Sequence, residues 1–218
     1  MTLPLKGDMI KVLIADDHAV VRSGLKQILA ETADIVVAGE AVNGREVLQK
    51  LEKQHWDVLV LDITMPGRSG LDILKEVKQL APRLPVLVLS MHSEEQFASR
   101  VLKAGASGYL PKESAPEELV KAIRKVCGGG RYISTTQAEK LIYMMEPGGD
   151  KMPHETLSNR EYEVLRLIAS GKTVTQIADQ VKLSVKTIST YRSRVLEKMR
   201  MQNSAELTHY AIKNRLVE

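Results

Sequence analysis

Three carboxylates stand at the ends of apolar segments that are too short to be helices of their own. Asp16 and Asp17 follow the segment 10–15, and Asp62 ends the segment 58–62. Such segments are typical of buried strands in a parallel sheet, and open sheets of this kind bind ligands at the carboxyl ends of their strands. Carboxylates gathered there repel one another, so the pattern favours a hard divalent cation such as Mg²⁺.

A hydroxyl and an ammonium group occupy the same kind of position. Ser90 ends the apolar segment 85–90, and Lys112 follows the short segment 108–110. The cation would neutralise a phosphoryl group arriving on Asp62, while Ser90 and Lys112 bind its remaining oxygens. Taken singly, each residue could be a helix cap, a turn residue or a surface charge. Together, at one sheet edge, they favour a phosphoryl-accepting site.

Apolar residues at helical spacing fill the intervals between these segments. Val21, Leu25 and Leu29 after the first segment are an example. Strict alternation of strand and helix, five times over, predicts an α/β doubly wound domain with a five-stranded parallel sheet and helices on both faces. Because all strands then run in one direction, the polar residues share one edge.

The C-terminal third has a different pattern. A serine or threonine followed three residues later by glutamate or glutamine predicts helix starts after Ser158 and Thr173, and Ser184 begins a third helix that reaches about residue 200. A fourth helix is expected over 205–214. Two short helices joined by a tight turn form a helix-turn-helix, within a small all-α domain.

The third helix of this domain has two unlike faces. Ile188, Val195 and Met199 share one stripe, which predicts the core-facing side. The other side offers small hydroxyls bordered by cations, which suits base edges and phosphates in a DNA major groove, although a merely solvated face would look the same. The residues on that side are Lys186, Ser189, Thr190, Ser193 and Glu197, with Arg194 and Lys198 on its flank.

Charge and cysteine content bound the class of protein. Residues 151–218 hold 12 Lys and Arg against 7 Asp and Glu, whereas residues 1–126 hold 17 of each. A basic module beside a neutral one favours a polyanion partner, or else it is a solvated basic surface.

The single cysteine, Cys127, excludes an internal disulfide and fits a reducing cytoplasm. We expect neither a signal peptide nor a membrane span, because no long apolar run is present.

Glycine and proline separate the two patterns. Gly128 to Gly130 would destabilise a helix that contained them, and Pro147 precedes two further glycines. We therefore predict a first domain over 9–126, a linker over 127–156 with at most one short helix, and a second domain over 157–218.

Four motifs of the first domain resemble the receiver domain of two-component response regulators. They are Ala15-Asp16-Asp17, the segment 61–70, Leu89-Ser90 and the segment 103–112. The resemblance implies that Asp62 is the phosphoacceptor. It also implies that Asp17 binds Mg²⁺ directly, Asp16 mostly through water, and Thr64 through its backbone carbonyl. Ser90 and Tyr109 would then be the switch residues, with Lys112 binding the phosphoryl group.

The second domain resembles the LuxR-type helix-turn-helix. The similarity lies in segments 157–161, 167–172, 177–178 and 183–188. It implies that hydroxyls of the third helix face bases, namely Ser189, Thr190 and Ser193. Contacts to the DNA backbone are implied for Lys186, Thr187, Tyr191 and Arg194.

Receiver and helix-turn-helix in one chain resemble the NarL/FixJ class of response regulators. We expect a cytoplasmic transcription factor whose Asp62 is phosphorylated by a sensor histidine kinase, and whose phosphorylated homodimer binds double-stranded DNA with inverted half-sites. It would be a phosphoacceptor and not an enzyme, with at most slow autodephosphorylation. The alternative is a phosphorylation-independent DNA-binding regulator that uses its receiver mainly to dimerise. A haloacid dehalogenase-type phosphatase is disfavoured, because Thr64 stands where that fold needs a second aspartate.

Overall fold

The five strand-like segments pair side by side in one parallel sheet in the computed structural model. The strands are β1 (Ile10–Ala15), β2 (Ile35–Ala41), β3 (Val58–Asp62), β4 (Val86–Ser90) and β5 (Gly108–Pro111). Their order across the sheet is β2-β1-β3-β4-β5, and every pair is parallel. The chain reverses its direction across the sheet between β1 and β3, the place where such sheets bind ligands. The predicted five-stranded parallel fold is confirmed.

The structure describes residues 9–65, 70–90, 95–114, 116–133, 152–214 and 216–217. Two units, Met1–Ile142 and Tyr143–Glu218, make up the chain. Within the described ranges, no helix is long and apolar enough to cross a membrane. The short helix predicted within the linker lies outside these residues.

Helices pack against the sheet of the first unit. They are α1 (Ala19–Ala30), α2 (Gly44–Lys53), α3 (Gly70–Leu80), α4 (Glu95–Lys103) and α5 (Pro116–Cys127). Leu29 of α1 and Ile123 of α5 share a buried cluster with alternate strand residues such as Val12, Ile14 and Val60. Alternate residues of a strand point to opposite faces. All five residues of β3 are nevertheless buried, so this central strand is covered on both sides.

Strand β2 pairs with β1 as far as Ala41. Gly39 lies near this end of the strand. A Cβ there would come 2.4 Å from the ring of Trp56, so only glycine leaves room for the indole. The indole is 5% exposed and donates a hydrogen bond to the Lys50 carbonyl.

The second unit is a bundle of short helices. They are α6 (Asn159–Ala169), α7 (Val174–Val181), α8 (Val185–Met199) and α9 (Ser204–Lys213), after a 3₁₀ helix over Pro153–Thr156. Side chains accept a hydrogen bond from the third helical amide at each of the four starts, namely Ser158, Thr173, Ser184 and Asn203. Each such cap stabilises its helix by about 1 kcal/mol. The capping boxes predicted at Ser158 and Thr173 are confirmed.

The turn between α7 and α8 is tight. Lys182 adopts the left-handed conformation, with φ 53° and ψ 48°, and Leu183 donates its amide to the Ala178 carbonyl at 3.0 Å. Ser184 then caps α8, so only three residues separate the two helices. Ile188, Val195 and Met199 are the buried residues of α8, as their spacing predicts.

Both ends of the predicted linker are folded onto a unit. Tyr132 pairs with Gly108 beside β5, its amide donating to the Ser107 carbonyl and its own carbonyl accepting from the Tyr109 amide. At the other end, His154 is buried and its Nδ1 lies 2.8 Å from the Tyr210 hydroxyl of α9. The sequence contains no strong signal for either contact, since both depend on partners far along the chain.

Candidate functional sites

The carboxyl edge of the sheet holds the polar residues predicted for the first unit. Asp16 follows β1, Asp62 and Ser90 are the last residues of β3 and β4, and Lys112 follows β5. Asp16, Asp62 and Ser90 are at most 1% exposed. A buried carboxylate is costly unless it is paired, so the contacts of these side chains decide what the edge can do.

Lys112 joins two of the carboxylates. Its Nζ lies 2.7 Å from Oδ2 of Asp16 and 2.7 Å from Oδ2 of Asp62. Burial opposes its charge, but the carboxylates of Asp62 and Asp16 outweigh burial and raise the pKa of Lys112 above its ordinary value. Lys112 is therefore an ammonium ion at neutral pH, and it compensates the two buried negative charges.

The turn after β3 holds the other oxygen of Asp62. Thr64 donates its backbone amide to Asp62 Oδ1 at 2.9 Å and its hydroxyl to the same atom at 2.7 Å. Gly70 packs the start of α3 against this turn, where a Cβ would lie 2.4 Å from the Ile63 carbonyl oxygen. The Asp62 carboxylate is thus fixed by Thr64 on one side and Lys112 on the other.

Asp17 is the third carboxylate of the group. Its Oδ1 is buried and accepts no hydrogen bond among the described residues, although His18 Nδ1 lies 3.1 Å away. His18 Nδ1 is also 3.2 Å from Asp16 Oδ1. His18 was not among the site residues predicted from the sequence, although its position directly after the acidic pair is a signal.

Arg22 is a second residue near the site that was not predicted from the sequence. Its guanidinium donates to the Asp16 backbone carbonyl at 2.9 Å and pairs with Glu40 at 3.0 Å. Hydrogen bonds from Lys26, and then from Arg22, hold the pKa of Glu40 below its usual range against the effect of burial. The pair links α1 to β2, and so it positions the end of β1 that carries Asp16.

Ser90 and Tyr109 occupy the neighbouring strands. Ser90 is fully buried, and its backbone carbonyl accepts from the Lys112 amide at 2.7 Å. The Tyr109 ring is also buried, at 2% exposure. A short parallel ladder between β4 and β5 pairs Val88 with Tyr109 and Ser90 with Pro111, so Lys112 directly follows the partner of Ser90.

The site fits a divalent cation. Asp16, Asp17, His18 and Asp62 each offer one ligand atom, and these atoms all lie within 4.8 Å of one another. The buried Asp17 oxygen without a donor is the kind of atom that a bound cation satisfies. Three carboxylates form a donor set suited to Mg²⁺, which prefers few protein oxygens and keeps several waters.

Helix α8 carries the residues predicted to meet DNA. Exposed on it are Lys186, Ser189, Thr190, Ser193 and Arg194, while Thr187 and Tyr191 are half-buried. The Thr190 hydroxyl donates to the Lys186 carbonyl at 3.0 Å, and the Ser193 hydroxyl donates to the Ser189 carbonyl at 3.1 Å. With its proton used inside the helix, each hydroxyl presents its lone pairs outward as an acceptor.

Lys198 is engaged within the unit. Its Nζ lies 2.7 Å from Oε2 of Glu161, the carboxylate that completes the capping box of α6. This pair and the capping hydrogen bonds to Ser158 outweigh burial and lower the pKa of Glu161. Lys198 therefore differs from Lys186 and Arg194, which point their charges outward from the same helix.

Two family models match the chain. "Response regulator receiver domain" matches residues 12–124, and "Bacterial regulatory proteins, luxR family" matches residues 155–211. The chain is 37% identical over 209 residues to "Response regulator UvrY" of Escherichia coli K12, covering 95% of this chain and 96% of that protein.

Solved structures of RcsB are also similar. One is the Salmonella enterica serovar Typhimurium protein bound to promoter rprA with the phosphomimetic BeF₃⁻, at 30% identity and TM-score 0.63, covering 93% of this chain and 98% of that one. Another contains two RcsB dimers bound to two parallel DNAs, at 30% identity and TM-score 0.57 with the same coverage. The receiver edge, the helix-turn-helix and these matches agree: the chain belongs to the NarL/FixJ class of two-component response regulators.

Proposed function

We propose that this response regulator accepts a phosphoryl group on Asp62 and thereby gains affinity for DNA. The observation that carries the proposal is the contact of Lys112 with both Asp16 and Asp62 beside the buried, donor-free oxygen of Asp17. The phosphodonor is a sensor histidine kinase or a small phosphorylated molecule, in a cytoplasmic setting. The chain is then a phosphoacceptor whose only reaction of its own is slow loss of the phosphoryl group.

Asp62 is the nucleophile. One of its carboxylate oxygens forms a bond to phosphorus as the bond from phosphorus to the donor breaks. Negative charge increases at an edge that already holds three carboxylates, so transfer needs a compensating cation. Asp16, Asp17, Asp62 and the Thr64 carbonyl would hold Mg²⁺, which would supply that positive charge, while Lys112 and Ser90 bind the oxygens of the phosphoryl group.

Phosphorylation must rearrange the contacts of Lys112. Its ammonium donates a hydrogen bond to Asp62 Oδ2. An added phosphoryl group would occupy the space around this oxygen. Once the group is attached, Lys112 follows the new negative charge and Ser90 turns its hydroxyl toward the same group. Tyr109, on the strand that pairs with the strand of Ser90, responds to that movement and passes it to the surface.

DNA is bound by α8. We assign base contacts to Ser189, Thr190 and Ser193, and backbone contacts to Lys186, Thr187, Tyr191 and Arg194. Because Thr190 and Ser193 act as acceptors, they suit the exocyclic amino groups of adenine or cytosine in the major groove. Lys198 reaches a phosphate only by leaving Glu161, so we rank it below the other cations.

The bound form is a homodimer on inverted half-sites. One short recognition helix reads few base pairs, and a two-fold dimer places two such helices about 10 bp apart. The structure of RcsB dimers bound to DNA supports a DNA-bound dimer by similarity. Footprints of the phosphorylated protein should show inverted half-sites at that spacing, and a monomer protecting one half-site would contradict it.

The central test measures phosphate incorporation on the full chain with a small phosphodonor. Wild type should incorporate phosphate with Mg²⁺ and none with chelator, and Asp62→Asn should incorporate none. Asp179→Asn, an exposed carboxylate on α7, is the control and should label like wild type. Labelling of Asp62→Asn, or labelling in chelator, would overturn the assignment.

The same preparations decide between the two modes of regulation. Phosphorylated wild type should bind operator DNA at least about tenfold more tightly than Asp62→Asn, which corresponds to about 1.4 kcal/mol. Equal affinities would favour the alternative, a DNA-binding regulator whose receiver serves mainly for dimerisation.

A further inference from the structure

The imidazole of His18 lies against the acidic pair, and the His18 backbone amide donates to Asp16 Oδ1 at 2.8 Å. Its ring is 64% exposed, so core packing does not hold it there. His18 precedes α1 as its N-cap residue, but its side chain makes no capping hydrogen bond. The ring instead faces the carboxylates of Asp16 and Asp17.

We propose that His18 is a nitrogen ligand of the receiver's cation site, which gives the site a preference for late first-row cations such as Co²⁺ and Zn²⁺. The inference rests on the proposed function, since it adds a ligand to the cation site beside Asp62. It concerns which cation the site selects, a property separate from whether Asp62 is phosphorylated.

Distances around His18 match those between neighbouring ligands of one cation. Its Nδ1 is 3.1 Å from Asp17 Oδ1 and 3.2 Å from Asp16 Oδ1. For an octahedral ion with bonds of 2.0–2.1 Å, adjacent ligand atoms are about 3 Å apart and opposite ones about 4.2 Å apart. The four ligand atoms, including one from Asp62, all lie within 4.8 Å of one another, so small side-chain rotations would close them on one ion.

The chemistry of the donor set separates the cations. Mg²⁺ prefers oxygen ligands and gains little from an imidazole, whereas affinity for nitrogen ligands rises along the series toward Co²⁺, Ni²⁺ and Cu²⁺ and remains high for Zn²⁺. Oxygens of Asp16, Asp17 and Asp62 serve both kinds of ion. His18 therefore distinguishes them, and its contribution should be visible as a ratio of affinities.

The experiment titrates the full chain with CoCl₂ and, separately, with MgCl₂. Calorimetry measures the binding of both ions, and visible absorption also measures the binding of Co²⁺. His18→Ala should weaken Co²⁺ binding at this site by about tenfold or more and change Mg²⁺ binding by less than about twofold. Asp17→Asn should weaken both ions, which identifies the Co²⁺ bound here among any held by other histidines. His55→Ala, a still more exposed histidine near a carboxylate, is the matched control and should change neither.

Two results would overturn the inference. If His18→Ala changes the two affinities equally, or changes neither, the ring is only hydrogen-bonded to the carboxylates. Failure of the proposed function gives a different result, because wild type would then bind Mg²⁺ without taking phosphate on Asp62.

Discussion

The ammonium nitrogen of Lys112 lies 2.7 Å from Oδ2 of Asp62, and both side chains are almost completely buried. The same ammonium is 2.7 Å from Asp16, so one positive charge serves two buried negative charges. A buried ion pair of this kind is strongly destabilised when one partner is removed, because the other charge is left in the interior without compensation. The cation site and the stability of the receiver are therefore coupled.

Replacing Lys112 with alanine should destabilise the receiver in the absence of divalent cations. The expected loss is about 3 kcal/mol in the free energy of unfolding, and Mg²⁺ should restore part of it by neutralising Asp16 and Asp62. Trp56 is the only tryptophan and lies in the first unit, so its fluorescence during urea unfolding reports on the receiver. Lys103→Ala, at an exposed site on α4, should change little. A Lys112→Ala loss that Mg²⁺ does not reduce would argue against the coupling.

The same variant tests the switch. Lys112→Ala should keep most of its affinity for Mg²⁺, because the carboxylates remain, but phosphorylation should no longer raise its affinity for operator DNA. The measurement compares operator binding before and after phosphorylation, at matched levels of incorporated phosphate. A wild-type gain in affinity for the variant would show that Lys112 does not transmit the signal.

The sequence predicts which residues lie at the functional edge of the sheet, but not which contacts they make there. Alternation of strand and helix places Asp16, Asp62, Ser90 and Lys112 at one edge, because the direction of parallel strands fixes where their ends lie. It cannot predict that Lys112 contacts two carboxylates, or that His18 turns toward Asp17. Those contacts depend on strand order and side-chain rotamers, which spacing along the chain does not encode.

The same limit applies to the second unit. Helical spacing correctly predicts Ile188, Val195 and Met199 as the buried stripe of α8. It also places Lys198 on the flank of the polar face, among residues expected to meet DNA. The pairing of Lys198 with Glu161 arises from the packing of α8 against α6, a tertiary contact between residues 37 positions apart.

Cys127 should be inert to alkylating reagents in the folded protein. Burial, with a smaller contribution from the Asp57 carboxylate, raises the pKa of its thiol to about 12. A raised thiol pKa favours the protonated form, and the reactive thiolate is scarce at pH 8. Because Cys127 is the only cysteine, its rate of reaction with iodoacetamide can be followed by intact mass. We expect the native rate to be roughly a thousandfold below the rate in urea, and comparable rates would show an accessible thiolate.

Residues of α8 that read bases should be separable by mutation from residues that anchor the helix to the DNA backbone. Arg194 is exposed and is expected to meet a phosphate. Arg194→Ala should weaken binding to operator and scrambled duplexes alike, and should reduce the salt dependence by about one unit of slope per half-site. Titrations at several salt concentrations measure both effects. A loss confined to the operator would instead make Arg194 a base contact.

Thr190 and Ser193 should behave in the opposite way. Truncating either to alanine removes an outward acceptor, and should cost roughly 1–3 kcal/mol on the operator with little change on scrambled DNA. Thr208→Ala is the matched control, because its hydroxyl also donates to a carbonyl four residues earlier, but on α9. The control accounts for any change that comes from losing such a hydroxyl within a helix. If Thr190→Ala and Ser193→Ala weaken both duplexes equally, these hydroxyls do not read bases, and α8 lies in the groove at a different rotation about its axis.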